Sequence, residues 1–285
     1  MAAMNKMFFN PETYKILPYK NTYGESGQVQ YTGFFIPAYT MWFGDDEGNK
    51  GFDSRGVVYE DKAKAYFIKT FNADIITFNE FETVTSREGA EKMAEVAKEL
   101  GMFGYFIESY PKGGDGFYGN VILSKWPIIN AASKQMTYKN NKGEGYYQLN
   151  VDPELTEYGA DQRSVGYADI LVPVSATESK IIRVVTAHFD HQGKDAVRTR
   201  QATESEQFAG LANPPYPTVM MGDLNTSSES VLQPLFAVGD HIGCYWVDHV
   251  FTFPKGKFTK VKWESPSSGL LSDHEPVIAT LKVTL

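Results

Sequence analysis

An α/β fold of two sheets packed face to face, with helices outside, is what this sequence predicts, and three observations predict it. Short runs rich in Val, Ile and aromatic residues recur along the chain, most of them bounded by Gly, Pro, Asn or Asp. Helical patterns lie between some of these runs. No Pro- or Gly-rich linker and no internal repeat divides the 285 residues, so a single layered domain over residues 1–285 is expected.

The expected strands are Lys15–Leu17, Asp74–Phe78, Asn120–Leu123, Tyr167–Val172, Ile181–Thr186, Thr218–Met221, Trp246–Phe251 and Pro276–Val283. Three segments repeat apolar residues at helical spacing: Asp61–Thr70, Arg87–Leu100 and Asp195–Leu211. The second has Ser86 as an N-cap and Gly101 just past its end. Polar stretches near residues 22–55 and 139–162 read as loops or insertions.

Composition narrows the class. The chain is 42% hydrophobic and 14% aromatic, which suits a packed core and argues against disorder. Cys244 is the only cysteine, so neither an internal disulfide nor a thiolate metal cluster within one chain is possible. With 27 basic and 35 acidic residues the net charge is −8, which disfavours a sequence-independent nucleic-acid binder. No apolar run approaches the roughly 18 residues that cross a bilayer, and Lys6, Asn10 and Glu12 interrupt any signal-peptide core at the start. A cytoplasmic protein is expected, although a secreted one reads the same once its signal is removed.

Four apolar runs end in residues that bind metals or move protons. Asp74-Ile-Ile-Thr-Phe-Asn-Glu80 delivers Glu80, and Val184-Val-Thr-Ala-His188 delivers His188. Val219-Met-Met-Gly-Asp223-Leu-Asn225 ends in an Asp-x-Asn pair, and Ser272-Asp273-His274 stands directly before another strand. Strand ends on one edge of a sheet can converge in space. Carboxylate oxygens such as those of Glu80 and Asp273 suit Mg²⁺ or Mn²⁺. Asp223 can take the proton of an attacking water that Asn225 helps orient, and a histidine can carry a proton or stabilise developing charge. Asp248, at the start of a strand, can hold His274 in one tautomer. Each piece alone is a common turn or loop residue; their joint occurrence in this order is what points to attack on phosphorus.

The stretches Ile-Thr-Phe-Asn79-Glu80, Tyr118-Gly-Asn120-Val-Ile-Leu-Ser-Lys, Thr186-Ala-His188, Gly222-Asp-Leu-Asn225, Val247-Asp248-His-Val-Phe and Ser272-Asp-His274-Glu-Pro276 resemble the endonuclease/exonuclease/phosphatase superfamily from about residue 60 to the end. The resemblance implies a four-layer sandwich of two mixed, mainly antiparallel sheets and a Mg²⁺- or Mn²⁺-dependent phosphoester hydrolase. It makes Glu80 and Asp273 metal ligands, and His188, Asp223, Asn225, Asp248 and His274 catalytic groups. Tyr118 and Asn120 fall in a stretch that reaches substrate, and Arg163 is a further candidate substrate contact. The first motif, a strand ending in a metal-binding Asn, is ambiguous: Asn21 is preferred, with Thr40 as the alternative.

The scaffold leaves the substrate open. Trp246-Val-Asp248-His249 replaces the Trp-x-Cys-Asp-Arg stretch of inositol phosphatases, which argues against a 5-phosphatase. The acidic balance favours a small or lipid-derived phosphoester, with a DNA or RNA nuclease as the alternative. A non-catalytic binding protein of the same fold would need a damaged site, and only the first motif shows damage; Asn79, where the family more often has Gln, is a mild departure. The sequence leaves the oligomeric state open.

Overall fold

The computed structural model describes residues 5–10, 15–20, 71–83, 100–111, 116–136, 162–191, 194–266 and 274–283. The strands are β1 (Asn5–Asn10), β2 (Lys15–Lys20), β3 (Ile75–Thr83), β4 (Phe103–Pro111), β5 (Phe117–Ser124), β6 (Ile128–Gln135), β7 (Ser164–Pro173) and β8 (Ser179–His188), followed by β9 (Thr218–Asp223), β10 (Asp240–Tyr245), β11 (Asp248–Phe253), β12 (Phe258–Glu264) and β13 (Ile278–Val283). Helix α1 (Asp195–Ala209) separates β8 from β9, and the short α2 (Gln233–Val238) precedes β10.

The largest sheet has the order β10-β11-β9-β8-β7-β6, and a second has the order β3-β5-β4. All pairings are antiparallel except β8 with β9. That parallel step follows from α1, the crossover that carries the chain back to the same sheet edge. Hairpins β1-β2 and β12-β13 form two further sheets.

The β3-β5-β4 sheet packs on one face of the six-stranded sheet. Tyr105, Ile107 and Ile122 meet Ile128, Ala168, Ile170 and Val184 in a dry layer. Each isoleucine or valine among them contributes about 1.5–3 kcal/mol when fully buried. Strand β5 is buried at every position, as the centre of a covered sheet should be. On the opposite face, Ala202 and Ala209 of α1 lie with Val165, Val185, Ala187, Met220 and Phe251 in a second core. Gly210, at φ 68°, ends α1 in the left-handed conformation that glycine adopts freely. The architecture is therefore an α/β sandwich of two mainly antiparallel sheets with helices outside.

Helical content is sparse among the described residues. The expected helix Asp61–Thr70 lies outside them, as do most of Arg87–Leu100, the insertion 22–55 and all but the last residue of the insertion 139–162. The expected helix at 195–211 is present with nearly the same bounds. Eight strands were expected, and each is present with shifted ends; β1, β4, β6, β10 and β12 are additional. Trp246 and Val247, expected within a strand, form instead the two-residue turn between Tyr245 and Asp248.

A close approach of backbones fixes where β9 delivers its last residues. A Cβ at Gly222 would run into the carbonyl of Ala187 on β8. Gly222→Ala is therefore expected to lower unfolding free energy by about 1–3 kcal/mol. Urea denaturation checks this; an unchanged midpoint would show that the two strands can part without cost.

Candidate active site

The site is assembled where β3, β8, β9 and β11 end or begin. In the β3–β5 pairing, register passes from Phe78↔Val121 to Phe81↔Gly119, so Asn79 and Glu80 stand opposite Asn120 alone. This is a β-bulge, which bends a strand and re-aims a side chain. Glu80 takes φ 60°, rare for a residue with a Cβ, and its side chain is 38% exposed beside the buried His188.

Asn79 fills the space beneath. Its Nδ2 donates to Asn120 Oδ1 at 2.9 Å and lies 3.3 Å from Ala187 O and 3.4 Å from Thr186 Oγ1. Its Oδ1 accepts the backbone N–H of Asp223 at 2.8 Å. One buried amide thus joins β3 to β5, β8 and β9. Nothing in the sequence beyond its place beside Glu80 marks Asn79 for this role.

Asp223 is buried at the end of β9, and Asn225 follows at φ 48°, a conformation Asn tolerates. The Asn225 N–H donates to Asp223 Oδ1 at 2.8 Å, closing a turn that the sequence Asp-x-Asn favours. Asn225 Nδ2 donates to Phe189 O at 2.9 Å and sits 3.0 Å from His188 Nε2. Asp248 opens β11 directly opposite Asp223. His274 Nδ1 donates to Asp248 Oδ2 at 2.8 Å, which leaves its Nε2 free of that bond. One ligand atom each from Asp223, Asp248 and His274 lies within 4.8 Å of the others. The carboxylates gathered here, with Glu80 nearby, make an oxygen-rich centre of the kind beside which a hard divalent cation fits.

Burial sets the protonation of the centre. Desolvation raises Asp223 from 3.8 to about 7, and the neighbouring Asp248 charge adds to this. Desolvation holds His188 well below the usual imidazole range, with the Arg163 guanidinium the next cause. His188 Nε2 is 3.5 Å from Asp223 Oδ2 and 3.8 Å from Glu80 Oε1, too long for good hydrogen bonds. A neutral ring faces both carboxylates, so these contacts are not ion pairs.

Of the residues the sequence singled out, Glu80, His188, Asp223 and Asn225 come together, with Asp248 and His274 beside Asp223. Asn21, Thr40 and Asp273 lie outside the described residues. Tyr118, Asn120 and Arg163 are buried beneath the surface of the site. Asn120 is occupied with Asn79 and Ser164, and Arg163 with Tyr118, His188 and His191. Helix α1 supports the loop after His188: Gln201 Oε1 accepts the N–H of Asp190, and Arg198 Nη1 donates to its carbonyl.

Trp246 was expected to begin a strand and instead occupies the first position of the β10–β11 turn at φ 55°, where glycine is the usual residue. It is 62% exposed, and its ring centroid lies 4.6 Å from that of His274.

Residues 65–274 match the model of the endonuclease/exonuclease/phosphatase family, and the chain belongs to that family. Its members in general are metal-dependent hydrolases of phosphoester bonds. No curated protein sequence gives a significant match. Among solved structures, a Bacteroides vulgatus endonuclease/exonuclease/phosphatase is similar with TM-score 0.57 and 17% identity, over 79% of this chain and 91% of that one. The human Nocturnin catalytic domain with a bound sulfate anion gives 0.58 and 13%, over 79% and 86%. Danio rerio TDP2 complexed with single-strand DNA product gives 0.51 and 12%, over 78% and 92%. At these identities the likeness concerns the fold. Among the described residues no helix is long and apolar enough to cross a membrane.

Because the pKa of Asp223 is raised on folding, between about pH 4 and 7 the folded protein keeps a proton that the unfolded chain has released. Its contribution to stability is full below that window and is lost as pH rises through it. In chelator-treated protein, Asp223→Asn should therefore be more stable than wild type at pH 8 by about 1–3 kcal/mol, with the gain vanishing at pH 4. Urea titrations at the two pH values check this, and a gain independent of pH would contradict it.

Proposed function

We propose that this site hydrolyses a phosphoester, preferably a phosphodiester or monoester of a small or lipid-derived molecule, with Mg²⁺ or Mn²⁺. The observation that carries this reading is the bonded Asp248–His274 pair within 4.8 Å of Asp223, whose partner Asn225 touches His188 beside Glu80.

Asp223, with its pKa raised toward neutrality, accepts a proton from the attacking water near pH 7. Asn225 is held by Phe189 O and the Asp223 carboxylate at a fixed place beside that water. His274 is oriented by Asp248, which fits it to meet a phosphoryl oxygen or carry a proton. His188 gives a second polar contact to the phosphate. Glu80 would hold the cation, together with Asp273 and Asn21. When bound, the cation supplies Lewis-acid stabilisation of the negative charge that grows on phosphate oxygens. The reading takes residues 1–285 as one domain.

Three observations support a small or lipid-derived substrate. The net charge of −8 is poor for tracking a polyanion. An apolar cavity of about 520 Å³, lined by Ile75, Val184, Met221, Val250 and Phe258, also reaches Asp248 and His274. Exposed Trp246 adds an apolar face beside His274. A nuclease is the second reading, favoured by the similar TDP2 structure, which holds a single-strand DNA product.

With Mg²⁺, the protein should release p-nitrophenol from bis-p-nitrophenyl phosphate, and a chelator should stop it. Asp223→Ala and His274→Ala should each lower kcat/KM by at least about 100-fold. Full activity in either variant would refute the assignment. A panel of sphingomyelin, inositol phosphates, DNA and RNA decides the substrate class; plasmid cleavage at low enzyme concentration would promote the nuclease reading.

A further inference from the structure

Arg163 directly precedes β7 and is 1% exposed, so it is poorly placed to be the substrate contact that the sequence suggested. Its Nη1 lies 2.9 Å from His188 Nδ1 and 3.1 Å from Tyr118 Oη, and its Nη2 lies 2.9 Å from His191 Nδ1. A guanidinium has only donors and keeps its charge at any working pH. Both imidazole Nδ1 atoms must therefore accept. A neutral imidazole has one accepting nitrogen, so the proton of each ring sits on Nε2.

For His188 a second donor contests that single lone pair. Asn225 Nδ2, already donating to Phe189 O, stands 3.0 Å from His188 Nε2. Either Arg163 donates to Nδ1 or Asn225 donates to Nε2; one neutral ring cannot satisfy both. A hydrogen bond from a charged donor is roughly twice as strong as one between neutral groups, so Arg163 prevails. The groups around the Nε2–H are then Asn225 Nδ2 at 3.0 Å, which cannot accept, Asp223 Oδ2 at 3.5 Å and Glu80 Oε1 at 3.8 Å. Neither carboxylate is close enough to take the bond well, which leaves the proton for a phosphate oxygen.

We propose that Arg163 is a positioning residue that locks His188 as its Nε2–H tautomer, so that His188 meets the reacting phosphate as a hydrogen-bond donor and not as a base. The same guanidinium reaches the other side of the centre. Tyr118 Oη accepts from Arg163, and Tyr118 in turn lies within the electrostatic reach of Glu80, so one buried cation steadies the histidine and borders the expected metal-binding carboxylate. His191, on the loop after β8, is held in the same tautomer. The proposal rests on the reading of the site as one that cleaves a phosphoester, but the tautomer is read whether or not any substrate turns over.

The full chain with Mg²⁺, labelled with ¹⁵N-histidine, reports in long-range ¹H–¹⁵N spectra which nitrogen of each of its five imidazoles carries hydrogen. His188→Asn and His191→Asn assign the two signals of interest. Wild type should show both rings as Nε2–H. Asn225→Ala should leave His188 so. Arg163→Met should convert His188 to the Nδ1–H form, with Asn225 now donating to Nε2, and should lower kcat by about 10–100-fold with little change in KM. Arg163→Lys, which keeps a charged donor, should retain the Nε2–H form and part of the rate; it serves if the Met variant does not fold. An Nδ1–H or doubly protonated His188 in wild type would overturn the proposal. So would a folded Arg163→Met protein, with unchanged His241, His249 and His274 signals, that kept both tautomer and kcat. An inactive wild type with His188 as Nε2–H would instead overturn the reading as a hydrolase.

Discussion

The side-chain amide of Asn79 is the contact on which the site depends. Its two sheets meet through apolar layers that fix a distance but little else, because dispersion and burial have no direction. Asn79 supplies direction. It stands in the β3 bulge and donates across to β5 and toward β8, while accepting the N–H of Asp223 on β9. Glu80, the next residue, and Asp223, whose N–H it accepts, are thereby tied through one buried group. Such a polar group raises the cost of any alternative packing, since each partner would be left unsatisfied in a dry interior. A one-residue change in register on either sheet would break all of these bonds together.

The chemistry around this amide is carried by irregular backbone. Glu80, Asn225 and Trp246 all have positive φ, and all three lie within the candidate site. Such conformations cost about 1–3 kcal/mol each and persist only where surrounding structure imposes them. The bulge imposes it on Glu80, and the Asp223 carboxylate does so for Asn225. For Trp246, the backbone bond from Leu224 N–H to Val247 O ties the turn to the Asp-x-Asn segment. Burial then separates the protonation states: the Asp223 carboxyl rises toward neutrality while His188 stays uncharged beside it.

Much of this was legible in the sequence, because strands that end in chemistry-bearing residues announce both the fold and the site. Glu80, His188 and Asp223 each follow a Val-, Ile- or Met-rich run, and the helix before β9 is bounded nearly as its pattern suggests. What stayed hidden has identifiable physical causes. Strand β4 buries Glu108 and Ser109, so its pattern is not apolar; β6 mixes Asn, Ser and Lys among alanines; β12 is an exposed hairpin strand of alternating Lys and apolar residues. The roles of Asn79 and Arg163 were equally hidden, since both arise from contacts between residues far apart in the chain. A buried arginine looks like a surface one until its neighbours are known.

The most direct test is Asn79→Ala, followed by Mg²⁺ binding and single-turnover cleavage of a phosphodiester in the folded variant. If the amide aligns Glu80 with Asp223, the variant should lose at least about 10-fold in both metal affinity and rate, as removal of groups that orient ligands typically does. It should also lose about 1–3 kcal/mol of stability, from the donors and acceptors left unpaired. A stable variant that binds Mg²⁺ and turns over like wild type would contradict the account.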